Sequence, residues 1–273
     1  MKLHDSLDHA VADVSADLPA LAVASRNQGL AIRRRRRSLA AVGSVAAVTV
    51  LAIGAYALVP GLDGGADRGI ATDLAAPVIS GPLTGETAPV TDRAVAAALA
   101  ASVGELADGT FGRFQGGAYD HEAFAALLFE PATGSGPAGQ VMINVQPLTM
   151  AGKAPYGCED YLEDFITGCT SRPLPNGDVL RTYREDDDTE FGLGSQRQAA
   201  EVISPERRLR IVVNAMNTNP WADGGLRDRP VLTAEQAAAI ARQPWWNWRT
   251  LPVEYAEAGK QLEDFTDANV DES

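Results

Sequence analysis

Leu3, Leu7, Val11, Val14, Leu18 and Leu21 recur at steps of four and three, which places them on one face of a helix. Pro19 interrupts the run, and Asp17 suits the cap of a second short helix ending near Asn27 or Gly29. Helices this short bury no core of their own. They need a membrane surface or a protein partner, or they stay solvated and half formed. Further on, Leu39 to Val59 is a run of 21 residues without a charge. As a helix it is about 31 Å long, roughly the hydrocarbon thickness of a bilayer. Pro60-Gly61 ends it.

Beyond the apolar run the pattern changes twice. Residues 60–91 hold six glycines and four prolines, which reads as an extended linker. A helix is then expected from Asp92 as N-cap, with Val95, Leu99, Val103 and Leu106 on one face and Asp108-Gly109 as its end. Strand signals follow at Thr110–Gln115, Ala123–Phe129, Gln140–Gln146, Val179–Arg184, Gln196–Ile203 and Arg208–Ala215. The third alternates cleanly, with Val141, Ile143 and Val145 opposite Gln140, Met142, Asn144 and Gln146. In the last, Leu209, Ile211, Val213 and Ala215 suit a core, while Arg208, Arg210 and Asn214 suit water. Ser204-Pro205-Glu206-Arg207 suits a type I turn with proline in second place. Thr233 and Gln236 form a capping box for a helix that must stop before Pro244, and another short helix is expected after Pro252. The sum is an α+β domain over 92–258: an antiparallel sheet flanked by helices and covered on one face. An acidic tail, 259–273, is expected to fray.

Charge turns this pattern into a topology. The chain carries a net charge of −13. Residues 1–37 hold seven basic and four acidic residues, five of them the block Arg33, Arg34, Arg35, Arg36 and Arg37. Residues 60–273 hold 16 basic against 32 acidic. Positive-inside bias then places 1–37 in the cytoplasm, 38–59 across the lipid bilayer and the rest outside. Ala55-Tyr56-Ala57 has the form of a signal-peptidase site, so a cleaved leader is the competing reading. The long, partly acidic lead and the length of the apolar run favour an uncleaved anchor. So acidic an outer domain suits no nucleic-acid partner.

Candidate chemistry is sparse. Cys158 and Cys169 suit a structural disulfide in an oxidising compartment. Gly134–Gly139 matches G-x-G-x-x-G, but it contains a proline and no helix follows, so it reads as a hairpin loop and no cofactor is expected. Glu185–Glu190, with five carboxylates in six residues, lacks the EF-hand glycine and final glutamate. It reads as a solvated acidic turn, and no metal site is expected. His121 is the one histidine beyond the apolar run, and no nucleophile, base and orienter come together around it. No catalytic residue is assigned; a hydrolase using His121 is the remote alternative. Trp245, Trp246 and Trp248 either form an aromatic binding patch for an extracytoplasmic ligand or pack the end of the capped helix.

The amphipathic N-terminus, the Arg33–Arg37 block, the Ala/Val-rich span and one outer domain together resemble a group of actinobacterial single-pass membrane proteins. They are of the kind encoded beside extracytoplasmic-function sigma factors. Twenty arginines against three lysines fit a GC-rich genome. The resemblance implies a sensory or anti-sigma role, with a cytoplasmic protein docked on Leu3, Leu7, Val11, Val14 and Leu18. The zinc pattern H-x-x-x-C-x-x-C is absent, since neither His4 nor His9 is followed by cysteines. An envelope binding or scaffold protein without signalling is the alternative.

Overall fold

A computed structural model gives the fold. It describes residues 72–79, 81–148, 156–160, 166–186, 194–221 and 225–268, all within the second of two units into which the chain divides, Ala52–Ser273. The amphipathic face of Leu3 to Leu18, the arginines 33–37, the apolar run 39–59, the acidic residues 187–190 and the last five residues lie outside the described set. Among the described residues no helix is long and apolar enough to cross a membrane.

The first helix, α1 (Asp92–Gly104), is capped by Thr91, whose hydroxyl accepts the Ala94 N–H at 3.2 Å. Asp92, expected as the cap, sits in the first turn. There its carboxylate complements the helix dipole and accepts the Ala118 N–H of the neighbouring strand at 2.6 Å. The helix stops at Gly104, short of the expected Asp108-Gly109. Every residue from Ala94 to Val103 is buried, because alanine lets the sheet on one side and helices on the other approach closely.

Eight strands make one sheet: β2 (Gly109–Tyr119), β3 (Glu122–Pro131), β4 (Gly139–Pro147), β5 (Ile166–Pro173), β6 (Val179–Asp186), β7 (Gln196–Ser204), β8 (Leu209–Met216) and β10 (Phe265–Asp267). Their order is β10-β2-β3-β4-β8-β7-β6-β5. All neighbours are antiparallel except β10 and β2. The chain thus meanders β2-β3-β4, crosses to the far edge at β5, and meanders back until β8 lies on β4. The Cys158–Cys169 disulfide joins a 3₁₀ turn in that crossing, Cys158–Asp160, to edge strand β5. Strand β5 begins at Ile166, three residues before Cys169.

Two expectations about domain limits change. Residues 60–91, read as a linker, bind the domain from Leu74 onward. Leu74 and Phe111 exchange backbone hydrogen bonds of 3.1 and 2.8 Å. Thr87–Pro89 forms β1, antiparallel to β9 (Thr250–Pro252). At the other end, β10 makes residues 265–267 of the expected tail part of the sheet. In both places the partner strand lies far away in sequence, so local composition suggests only extended chain.

One face of the sheet carries Phe111, Leu127, Phe129, Ile143, Val213 and Val202 under α1, α2 (Ala234–Ala241) and α3 (Val253–Gly259). The capping box forms in full at α2, with Gln236 N–H to Thr233 Oγ1 at 3.2 Å and Thr233 N–H to Gln236 Oε1 at 2.9 Å. The second face was expected to be wet. It is not: Arg210 and Asn214 keep 6% and 7% of their surface.

Candidate binding site

Register explains the buried second face. Across it Arg181 lies opposite Glu201, Glu201 opposite Val212, and Val212 opposite Asn144. Arg197 lies opposite Glu185 in a parallel row. Glu201 is 0% exposed. It accepts the Arg181 Nε–H at 2.8 Å and the Tyr183 hydroxyl at 3.3 Å, and pairs with a second nitrogen of Arg181 and with Arg210. Arg197 pairs with Glu185. Glu185, read as part of a solvated acidic turn, is therefore a buried ion-pair partner. Charges survive this burial because each is matched on the neighbouring strand.

Glu122 stands at the far end of the same face, where Asn144 Nδ2 donates to it at 3.3 Å. Burial pushes its pKa above the ordinary 4.5, against the smaller pull of that hydrogen bond and of His121. Ionising Glu122 therefore costs more in the folded protein than in the unfolded chain. This cost is absent below pH 4.5, grows as pH rises towards the folded pKa, and is fully present above it. Glu122→Gln keeps an acceptor for Asn144 and removes the cost. The variant should melt higher than the parent at pH 7 and level with it at pH 4. A lower melting temperature at pH 7 would show that the charge itself is needed.

A cleft of about 690 Å³ opens where β4 ends, between the β7–β8 turn and the chain leading into β9. That volume is within the usual range of small-molecule sites. Tyr156, Arg207, Arg208, Asn247, Trp248 and Arg249 line it. The turn is Pro205–Arg208, closed by the Arg208 N–H to Pro205 carbonyl bond at 3.3 Å, so proline takes first place rather than the expected second. Arg207 is neutralised by Asp178 at 3.3 Å and reaches across to the Pro244 carbonyl at 3.0 Å, which ties the turn to the tryptophan segment. Arg208 and Arg249 are exposed, and among the described residues no carboxylate lies within ion-pair distance of either. The Arg249 guanidinium sits 5.4 Å from the Trp248 ring centroid.

The three clustered tryptophans do not form one patch. Trp246 is 1% exposed and its Nε1–H donates to the Ile240 carbonyl at 2.8 Å, sealing the end of α2. Trp245 lies against Trp246 and Tyr255, at centroid distances of 4.2 and 4.6 Å. Trp248 alone lines the cleft. His121 is exposed on the β2–β3 turn. Cys158 and Cys169 are joined in a disulfide. Arg207, Arg208 and Arg249 are the site residues that sequence reading missed. The available signal was their pairing, Arg207-Arg208 in a turn and Trp248-Arg249 side by side, in a domain poor in basic residues.

No family model, no curated protein and no solved structure matches the chain.

Proposed function

We propose that the chain is a single-pass membrane protein with a cytoplasmic N-terminus, whose outer α+β domain binds a ligand and regulates through its cytoplasmic segment. The observation that carries the binding role is the cleft, where two exposed guanidiniums have no carboxylate partner among the described residues and one of them, Arg249, lies over the Trp248 ring, in an otherwise acidic domain. Support for the anchor comes from the uncharged run 39–59 between a basic and an acidic flank. The Cys158–Cys169 bond fits an oxidising compartment. Leu3, Leu7, Val11, Val14 and Leu18 would then offer the face that docks a cytoplasmic protein.

Protease protection tests the arrangement. The full chain, with one epitope before Met1 and another after Ser273, is expressed in cells whose wall has been removed. Added protease should destroy the C-terminal epitope and spare the N-terminal one until detergent is added. Protection of both epitopes, or release of the tagged chain into the medium, would sink the anchored topology.

A further inference from the structure

We propose that the Cys158–Cys169 disulfide is a redox switch opened by a dithiol, and that its opening releases one wall of the cleft and one side of the buried ion cluster. The inference gives the regulatory reading above its input and rests on that reading for the compartment. Three observations carry it.

The first is access. β5 is the last strand of the sheet and pairs only with β6. Its register shifts between Thr167 and Thr170, so Gly168 and Cys169 bulge out of the ladder. Glu159, Thr167, Gly168 and Thr170 are exposed, and both cysteines are partly exposed. Exchange requires a thiolate to reach one of the two sulfurs, and exposed disulfides are the labile ones.

The second is how little else holds the stretch Tyr156 to Asp160. Among the described residues two hydrogen bonds tie it to the sheet. The Ser171 hydroxyl donates to the Tyr156 carbonyl, and Arg181 Nη1 donates to the Gly157 carbonyl, each at 3.3 Å. Both are long for their type. Tyr156 also has φ 59°, a left-handed conformation that a side chain of this size keeps only where its surroundings impose it. The covalent constraint lies two residues further on, at Cys158.

The third is what the stretch touches. Tyr156 lines the cleft with Arg208, Trp248 and Arg249. The next carbonyl, that of Gly157, accepts from Arg181, which is 2% exposed and pairs with the completely buried Glu201. Glu201 in turn holds Arg210 and Tyr183. One short stretch therefore joins a surface bond to the cleft on one side and to the charged face of the sheet on the other. Once Cys158 is released, Tyr156 can return to negative φ and carry its ring out of the cleft, and water reaches Arg181.

Opening is a two-electron step. A thiolate of the dithiol attacks one protein sulfur, and the other protein sulfur leaves as a thiolate. The second thiol of the reductant then displaces the protein from the mixed disulfide. The protein gains two thiols, and the reductant, having supplied both electrons and both protons, leaves as a disulfide.

The full chain in detergent is treated with dithiothreitol without denaturant, and its free thiols are titrated with a maleimide. Reduction should run within about tenfold of its rate in urea, because the sulfurs are reached without unfolding. The reduced chain should stay folded and melt cooperatively, roughly 5–10 °C lower. Amide exchange should rise about tenfold in β5 and β6 and stay level in β3 and β4. Tryptophan emission should shift to the red as Trp248 is wetted. Trp248→Phe should lose that shift and keep the lower melting temperature on reduction. The Cys158→Ser/Cys169→Ser double variant should match the reduced parent and ignore the reductant. Should that variant fail to fold, the same readings on the reduced parent decide. A bond that resists dithiothreitol until the chain unfolds would overturn the proposal. So would global unfolding on reduction, which marks a staple, or an unchanged Trp248 emission. Because the measurement uses solubilised chain, its failure is independent of the protease result, and each reading can fall alone.

Discussion

Glu201→Gln is expected to lower the stability of the domain by about 3–5 kcal/mol, the range found when one partner of a buried ion pair is removed. The carboxylate is completely buried and receives Arg181, Arg210 and Tyr183. Glutamine has nearly the same shape but no charge, and its amide nitrogen brings donors towards guanidinium donors. Two buried cations lose their counter-charge and gain no water in exchange. For a domain of this size the loss corresponds to a fall of roughly 10 °C in melting temperature. Asp186→Asn supplies the contrast. Asp186 pairs with Arg184 at 3.2 Å, but the two side chains are 37% and 48% exposed, so solvent screens the pair and the change should stay within about 0.5 kcal/mol. Replacing Arg181, Glu201 and Arg210 together by apolar residues should recover much of the loss, because the carboxylate and both guanidiniums it holds leave the interior together. Urea unfolding of the three variants decides the matter. A Glu201→Gln protein within about 1 kcal/mol of the parent would mean that the central carboxylate is not holding the two arginines.

The same residues show what a sequence can and cannot give. Alternation in Gln140–Gln146 correctly sorted Val141, Ile143 and Val145 from Gln140, Asn144 and Gln146, because side-chain period in a strand is local. The capping box at Thr233 was legible for the same reason: donor and acceptor lie three residues apart. Whether a face is wet is not local. Arg210 read as solvated until the register of β8, β7 and β6 set Glu201 and Arg181 beside it. Long-range pairing also hid β1 and β10, whose partners lie 163 and 151 residues away, as at Ala88 with Leu251 and Phe265 with Phe114. The cleft was legible in part. Trp248 was noticed within a cluster, but packing sends Trp245 and Trp246 to the core, while Arg208 reaches the cleft from a turn 41 residues earlier in the chain than Arg249. No spacing rule links those two arginines, since only tertiary folding does so.

Gly116→Ala is expected to cost about 3 kcal/mol, the upper end of overpacking. An added Cβ would stand 2.0 Å from the Asp92 carbonyl oxygen and 2.8 Å from its carbon. Both atoms belong to backbone in the first turn of α1, so no rotamer change relieves the contact. Gly116 cannot yield either. It lies in β2, paired with Ala125 on one side and Asp267 on the other. The helix would have to lift, yet Ala94 to Val103 are buried all round and Asp92 Oδ1 holds the Ala118 N–H. Movement at Asp92 therefore spreads along α1 and towards α3, where a Cβ on Gly259 would itself meet the Arg93 backbone at 2.7 Å. Gly225→Ala is the control, since no atom of the described residues lies within 4 Å of its added methyl group. That change should be close to neutral in the same urea series. If Gly116→Ala unfolds at the same urea concentration as Gly225→Ala, α1 can slide on the sheet and its close packing is not what fixes the helix there. A loss near 3 kcal/mol, or no folded protein at all, would mean that the alanine-rich helix tolerates no adjustment at its N-terminal end.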